Sequence, residues 1–155
     1  MTNNDVLRSL QHILGLDDST IAGIFQLAEQ KIDPATVSSY LKKQDEADYI
    51  ECENNLMIIF LDGLITYRRG KLDQGAQQTQ RILLPLTNNI ILKKLRIAFD
   101  LKEQDLIELM SMADHEVTKN ELSAIFRKPG HKHYRICNDE FLMGFLAGLT
   151  FRQWR

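Results

Sequence analysis

The stretch RKPGHKHYRIC gathers four cationic side chains, two histidines, a tyrosine and a cysteine into eleven residues. Its His131, His133 and Cys137 could supply three ligands to a metal, with Asp139 or His115 as the fourth. The thiol could instead act as a nucleophile, if it were exposed and the basic neighbours lowered its pKa. As a third reading, the cations could bind an anionic partner. Metal binding, thiol catalysis and binding of an anionic partner each require different residues in the rest of the chain.

The chain contains two similar copies of one sequence. Each candidate site in one copy can therefore be compared with the aligned residues of the other. Shifted by 85 positions, residues 2–70 align with residues 87–155 without a gap. Fifteen of the 69 aligned pairs are identical, where about four would be expected by chance. The identical pairs include Asn4/Asn89, Tyr49/Tyr134, Cys52/Cys137 and Gly63/Gly148. We therefore predict a tandem duplication, with copy one at 1–70, a linker at 71–86 and copy two at 87–155.

A metal site common to both copies is excluded by the aligned stretch KKQDEADYIEC. It places Glu46 and Asp48 where copy two has its two histidines. A site confined to copy two stays open, but structural zinc generally takes more than one thiolate, and no CxxC or HxxxH pair occurs. We expect neither a metal nor another cofactor.

The two cysteines occupy the same position of the repeat in opposite electrostatic surroundings. Cys52 lies beside Asp48 and Glu51, whose charges disfavour a thiolate, whereas Cys137 follows a basic cluster. Packing explains a residue kept in both settings more easily, because a free cysteine behaves mostly as a small buried apolar group. The sequence also lacks P-loop, GxGxxG and GxSxG motifs. We expect no catalytic residues and no enzymatic activity.

Apolar residues recur at helical spacing and predict four helices in each copy. The first helix begins behind an asparagine that can cap its free N–H groups, and it ends near residue 14 or 99. The second covers about 18–29 or 103–112, the third about 33–43 or 118–128, and the fourth about 54–69 or 139–153. No segment alternates with the period of a strand, so the predicted fold is all-α.

The fourth helix of each copy is apolar nearly all round, which predicts a central buried element. It contains Gly63 or Gly148, although a glycine inside a helix costs about 1 kcal/mol relative to alanine. We therefore expect a second backbone to pass close by, with the two fourth helices crossing at these glycines. Such a crossing would pack the copies with pseudo-twofold symmetry into one compact helical domain. The linker would dock on it through Ile82, Leu83, Leu84 and Leu86.

The composition is ordinary for a soluble protein, with 44% hydrophobic residues, 26% charged residues and a net charge of −2. The first residues have neither the basic nor the apolar region of a secretory signal, and the apolar run 56–61 is too short to cross a bilayer. Two cysteines are too few for a disulfide framework. We therefore expect reduced thiols, a cytoplasmic location and no membrane partner.

Charge separates the two copies. Residues 1–70 hold 6 Lys/Arg against 11 Asp/Glu, a net of −5, whereas residues 87–155 hold 11 against 9, a net of +2. The difference is concentrated between the third and fourth helices, where copy one reads QDEADYIECE and copy two reads RKPGHKHYR. The two loops could face each other within one molecule, pair between molecules, present the basic loop to an acidic partner, or be merely solvated.

The doubled pattern NN-xx-L-xx-L, Y-xx-C, F-L-x-G-L resembles the YehS-like bacterial proteins, a two-copy domain family of unknown function. The stretches NNIILKKLRIAF, RKPGHKHYRIC and FLAGL are especially similar to that family's second copy. The resemblance covers essentially the whole chain and implies a small cytoplasmic bacterial protein. It supplies no catalytic or binding residues, so function has to be argued from the residues themselves.

Two functions are compatible with these features. The first is a non-enzymatic binding or adaptor protein that contacts an unknown protein partner, or another copy of the chain, through the basic loop. The candidate contact residues are Arg127, Lys128, His131, Lys132, His133 and Arg135. The alternative is nucleic-acid binding, because residues 92–128 resemble a helix-turn-helix pair whose second helix could enter the major groove. Against this alternative, the connection SMADHEV is longer than the usual turn and the second helix mixes Lys119 with Glu121.

Overall fold

A computed structural model describes residues 1–70 and 85–152 of the chain. Within these residues the backbone forms eight helices and no strand, which confirms the all-α prediction. The chain divides into two compact units, residues 1–86 and 87–154, and each unit holds one copy of the repeat. The predicted packing of the copies with pseudo-twofold symmetry stays a prediction. The docking predicted for Ile82, Leu83 and Leu84 lies outside the described residues.

Both copies have the same order of helices. Copy one contains α1 (Asn3–Leu14), α2 (Asp18–Leu27), α3 (Pro34–Leu41) and α4 (Asn54–Arg69). Copy two contains α5 (Asn88–Ala98), α6 (Glu103–Met112), α7 (Lys119–Ile125) and α8 (Asp139–Phe151). Every helix of copy two therefore begins 85 positions after its counterpart in copy one, and the predicted duplication extends to the secondary structure.

The first helix of each copy is capped by a threonine, so the predicted asparagine cap is wrong. The Thr2 hydroxyl accepts the backbone N–H of Asp5, and the Thr87 hydroxyl accepts that of Ile90. Either residue type can cap a helix, because both offer a side-chain oxygen to a free N–H group. The asparagines that follow are therefore inside the helix, where their amides serve a different purpose.

The third helices begin as predicted and end earlier than predicted. Asp33 caps α3, and Thr118 caps α7 in a capping box with Glu121. The predicted ends near residues 43 and 128 are wrong because loop residues compete for the last carbonyl groups. The backbone N–H of Ile50 donates to the carbonyl of Ser39, and that of Arg135 donates to the carbonyl of Ala124, at 3.3 and 3.1 Å. These carbonyls would otherwise continue the helix.

Each fourth helix contributes more buried apolar side chains than any other helix of its copy, six in α4 and five in α8. The buried core residues include Leu7, Leu10, Ile24, Phe25, Met57, Phe60 and Leu64 in copy one, and Leu92, Leu95, Leu109, Met110, Leu142, Phe145 and Leu149 in copy two. Helix α8 departs from the expectation on one side, where Met143 and Phe151 are 56% and 62% exposed. Across residues 1–70 and 85–152, no helix combines the length and the apolar character that a membrane crossing requires.

Gly63 and Gly148 lie against a second backbone, as predicted, but the neighbour is the second helix of the same copy. A Cβ atom on Gly63 would lie 2.0 Å from the carbonyl oxygen of Ile24, and one on Gly148 would lie 2.2 Å from that of Leu109. Ile24 and Leu109 are themselves repeat equivalents. The contact with the second helix explains each glycine within its own copy, and the crossing of the two fourth helices stays a prediction.

Candidate functional site

Two loops connect the third and fourth helices and carry the charge difference between the copies. We call residues 44–53 the acidic loop and residues 127–135 the basic loop. Each loop follows a short third helix and precedes the buried fourth helix of its copy. The two loops overlap in the repeat, because residues 42–50 of copy one align with the basic loop. The surrounding hydrogen bonds can therefore be compared atom by atom.

A buried asparagine amide holds the ends of the acidic loop together. Asn4 is 1% exposed, and its Nδ2 donates to the carbonyl groups of Tyr40 and Ile50 at 2.9 and 2.8 Å. Its Oδ1 accepts the backbone N–H of Cys52 at 3.0 Å. One side chain therefore satisfies three backbone groups, one at the end of α3 and two near the end of the loop. Groups of this kind are costly to bury without a partner.

The same arrangement holds the basic loop. Asn89 donates to the carbonyl groups of Ile125 and Arg135 at 2.9 and 2.8 Å, and its Oδ1 accepts the backbone N–H of Cys137 at 2.9 Å. Each partner lies 85 positions after its counterpart in copy one. The ends of both loops are thus fixed by one buried amide, although the loop sequences between those ends differ in charge.

The preceding asparagine joins the loop to the start of the fourth helix. Asn3 Nδ2 donates to the carbonyl of Cys52 and to Oδ1 of Asn54, both at 2.9 Å. Asn88 makes the equivalent pair of bonds to Cys137 and Asp139, at 3.1 and 2.7 Å. The bond from Asn88 holds the pKa of the Asp139 carboxyl below its usual range. The NN dipeptide of each copy is therefore a support for the loop.

Both cysteines are buried, at 1% and 2% exposure. Burial, with a smaller effect from neighbouring carboxylates, raises the pKa of the Cys52 and Cys137 thiols to about 12. A thiol with such a pKa stays protonated near neutral pH, so neither cysteine presents a thiolate nucleophile or a ready metal ligand. In the part of the chain that the structure describes, no three His, Cys, Asp or Glu side chains are grouped closely enough to hold a metal ion.

The basic loop consists of two successive turns. In the first, the N–H of His131 donates to the carbonyl of Lys128 at 3.1 Å, with proline and then Gly130 at the central positions. Gly130 has a φ of 95°, which a glycine adopts without strain at this position of the turn. In the second, the N–H of Tyr134 donates to the carbonyl of His131 at 2.9 Å, and the N–H of His133 donates to His131 Nδ1 at 3.1 Å. These bonds give the loop a defined shape.

All six predicted contact residues of the basic loop are exposed. They are Arg127, Lys128, His131, Lys132, His133 and Arg135. The Arg135 guanidinium lies 3.6 Å from a carboxylate oxygen of Glu121, with 61% of the arginine side chain exposed. Within residues 1–70 and 85–152, Arg127, Lys128 and Lys132 have no ion-pair partner. Three cations of the loop are therefore unneutralised at the surface.

The acidic loop begins with an equivalent turn of different composition. The N–H of Glu46 donates to the carbonyl of Lys43 at 2.9 Å, and the Lys43 N–H donates to a carboxylate oxygen of Glu46 at 3.1 Å. Asp48 takes a left-handed φ of 66° and lies 3.7 Å from the Lys42 ammonium group. The first turn of each loop therefore closes at the same position although its residues differ.

An exposed isoleucine accompanies each loop. Ile50, inside the acidic loop, is 46% exposed, and Ile136, directly after the basic loop, is 75% exposed. Ile136 was missed at the sequence level, where only charged and imidazole side chains were considered as contact residues. The aligned position of copy one holds Glu51. A charged residue there indicates that the position faces solvent.

A cleft of about 220 Å³ adjoins the basic loop, and another of about 480 Å³ adjoins the acidic loop. The first is lined by His115, Glu121, Ile125, Arg135, Ile136, Asn138, Glu140 and Phe141. The second is lined by Ala35, Ser38, Ser39, Lys42, Asp48, Tyr49 and Ile50. The His115 ring packs edge-on against Phe141 with the ring centroids 5.5 Å apart, so His115 helps to form the wall beside the loop. His131, His133 and Cys137 do not line this cleft.

The helix-turn-helix alternative involves α5, α6 and α7. Helix α7 has only seven residues, which corresponds to a length of about 10 Å. Its exposed residues include Lys119, Asn120 and Ser123, while the Glu121 carboxylate is used in the capping box and in the pair with Arg135. Two turns of helix offer few side chains to a groove, and nucleic-acid binding through α7 stays a prediction.

Comparison with known proteins gives a family and no activity. The family model described as "Protein of unknown function (DUF1456)" matches twice, at residues 3–70 and 88–154. The chain is 38% identical over 156 residues to "Uncharacterized protein YehS" of Escherichia coli (strain K12). The alignment covers 99% of this chain and 97% of that protein. No solved structure gives a significant match. The two family matches coincide with the two copies of the repeat.

Proposed function

Because the chain belongs to the DUF1456 family, whose function is unknown, we propose a function from its own residues: non-enzymatic binding of an acidic protein surface through the basic loop. The observation that carries this proposal is the set of unpaired, exposed cations Arg127, Lys128 and Lys132. Opposite charges speed the encounter of two proteins and select the correct partner. The aligned residues 42–50 of copy one keep two cations, Lys42 and Lys43, but add Asp45, Glu46 and Asp48. Their net charge is therefore negative, and the proposal concerns copy two.

The support beneath the basic loop favours binding. Asn89 fixes both ends of the loop, and the two turns from Lys128 to Tyr134 define its middle. A loop that is already ordered loses less conformational entropy when a partner binds. This support acts on the backbone, and the cationic side chains are left free to contact a partner.

A protein partner is favoured over a nucleic acid by Ile136. This side chain is 75% exposed beside the cations, and a phosphate backbone offers nothing apolar to cover it. Burying an isoleucine against a protein surface contributes about 2 kcal/mol. Protein interfaces commonly combine an apolar centre with a charged rim. The basic loop with Ile136 has both features on a small scale.

The proposal is tested with a labelled polyglutamate peptide as the acidic probe. The wild-type chain and a variant carrying Arg127→Glu, Lys128→Glu and Lys132→Glu are titrated by fluorescence anisotropy at low salt. We expect the wild type to bind and the variant to bind at least about tenfold more weakly, because three attractive contacts become repulsive. Binding by the wild type should also weaken as salt is added.

A matched control separates local contact from total charge. The variant Lys93→Glu, Lys102→Glu, Lys119→Glu changes three exposed lysines of the same copy and has the same net charge. We expect it to retain wild-type affinity within about threefold. Equal binding by the loop variant and the wild type, or no binding by the wild type at low salt, would contradict the proposal. Tighter binding of labelled duplex DNA, lost on changing Lys119 and Asn120, would support the nucleic-acid alternative instead.

A further inference from the structure

We infer that the acidic surface recognised by the basic loop is the acidic loop of a second copy of this chain. The inference rests on the proposed function and names its partner. In such an assembly, the basic loop of each chain contacts the acidic loop of the other. The argument uses the charge, exposure and supporting contacts of the two loops.

The charges of the two loops are complementary. The basic loop, RKPGHKHYR, contains four Lys/Arg and no acidic residue. The acidic loop, QDEADYIECE, contains five acidic residues and no Lys/Arg. Loops of opposite charge attract each other, whereas two basic loops or two acidic loops repel each other. Every chain carries one loop of each kind, so a second copy provides the complement to both.

The charges that would meet are exposed and unneutralised. Asp45, Glu51 and Glu53 are exposed, and within the described residues they have no ion-pair partner. The cations Arg127, Lys128 and Lys132 of the basic loop likewise have no ion-pair partner within the described residues. Neither set is used to stabilise its own unit, so both are available for contact between chains.

Each loop also brings an apolar side chain to the contact. Ile50 is 46% exposed within the acidic loop, and Ile136 is 75% exposed next to the basic loop. Apolar contact surrounded by opposite charges is the usual composition of a protein interface. Charge pairing alone between solvated loops is weak, and the two isoleucines supply the apolar contact that such pairing lacks.

The simplest assembly that uses both loops of each chain is a twofold dimer. Asn4 and Asn89 hold their loops through equivalent bonds. In a twofold dimer, the contact of basic loop with acidic loop occurs twice, and both complementary surfaces of each chain are used. The contact area of each pair is small, so we expect an association that is rapid, salt-sensitive and dependent on protein concentration.

Two charge-reversed chains test this inference by sedimentation velocity at low salt. One carries Arg127→Glu, Lys128→Glu and Lys132→Glu, so both of its loops are acidic. The other carries Asp45→Lys, Glu51→Lys and Glu53→Lys, so both of its loops are basic. We expect the wild type to form dimers, each variant alone to be monomeric, and an equimolar mixture of the variants to associate. Adding Ile136→Ser to the first variant should weaken the mixed association about tenfold.

The outcomes distinguish this inference from the proposed function. A wild-type chain that is monomeric at low salt, or a mixture that stays monomeric, would overturn self-association. If the wild type is monomeric yet binds polyglutamate through the basic loop, the proposed function stands and only the choice of partner is wrong. If the wild type neither dimerises nor binds polyglutamate, both proposals are overturned. Circular dichroism of each variant checks that it is folded.

Discussion

The acidic and basic loops have the same supporting contacts and opposite surfaces. In both copies an asparagine amide bonds three backbone groups at the loop ends, and the residue before it bonds the start of the fourth helix. Between these anchors, copy one exposes Asp45, Glu46 and Asp48 where copy two exposes Gly130, His131 and His133. The repeat has therefore kept the residues that hold the loop and the cations at its start, and has changed the charge of the exposed residues that follow.

The difference has an energetic basis. Removing a buried hydrogen-bonding group costs several kcal/mol, whereas changing an exposed charge commonly alters stability by less than about 0.5 kcal/mol. Surface charge can therefore diverge between two copies without harming either fold. Asn4 and Asn89 belong to the first class, and the charged residues of the loops belong to the second. We therefore expect substitutions of the buried asparagines to change stability much more than substitutions of the exposed loop charges.

The largest expected effect is loss of the asparagine amide. Asn4→Leu or Asn89→Leu leaves three backbone groups without their partner, so we expect the free energy of unfolding to fall by about 4 kcal/mol in either copy. Urea denaturation of each variant measures the change. Asn55→Leu, at an exposed position of α4, is the matched control and should change stability by less than about 0.5 kcal/mol. A small effect at Asn4 with a large one at Asn89 would show that the supports are not equivalent.

The glycines of the fourth helices should be nearly as sensitive. A Cβ on Gly63 or Gly148 would lie within 2.2 Å of a backbone carbonyl oxygen, so either alanine variant should lose about 3 kcal/mol through displacement of the neighbouring helix. Gly23→Ala is the control, because a Cβ there meets nothing within 4 Å. It should stabilise α2 by about 0.5–1 kcal/mol. Thermal denaturation of the three variants distinguishes the steric effect from helix propensity, and similar shifts in all three would contradict it.

For each thiol, an effect comparable to that of a glycine variant concerns pH. Burial raises the pKa of Cys52 and Cys137 to about 12, above the value of about 8.5 in an unfolded chain. The folded state keeps these protons while the unfolded state loses them, so stability should fall by about 1.4 kcal/mol per pH unit for each thiol between about pH 9 and 11. Cys52→Ala and Cys137→Ala should each reduce this slope by the same amount. Unequal reductions would mean that loop charge, and not burial, controls the thiols.

The helices and the duplication were readable from the sequence because they depend on local and periodic signals. Apolar spacing predicted all eight helices of the described residues, and Asp33 with Pro34 correctly marked the start of α3. Where two neighbouring residues could both cap a helix, as Thr2 and Asn3 could, local chemistry did not decide between them. The ends of the third helices depend on loop residues about ten positions away, which no local rule detects.

The sequence showed that the residues supporting the loops are identical in the two copies, but it did not show which groups they contact. Asn4 and Asn89 were recognised as repeated residues, but their role depends on carbonyl groups 36 and 46 positions further along the chain. The exposure of Ile136 was also not predicted, because an isoleucine beside the buried Cys137 carries no local sign of facing solvent. Charge was easier to interpret, because the exposure of the basic loop follows from the cost of burying unpaired cations.

The most direct test transfers the basic surface to copy one. Residues 44–51 are replaced by PGHKHYRI, the sequence of residues 129–136, to give a chain with two basic loops on equivalent supports. If the support is common and the loop sequence carries binding, the chain should fold and calorimetry should show two polyglutamate peptides bound per chain where the wild type binds one. A folded chain that still binds a single peptide would contradict this account.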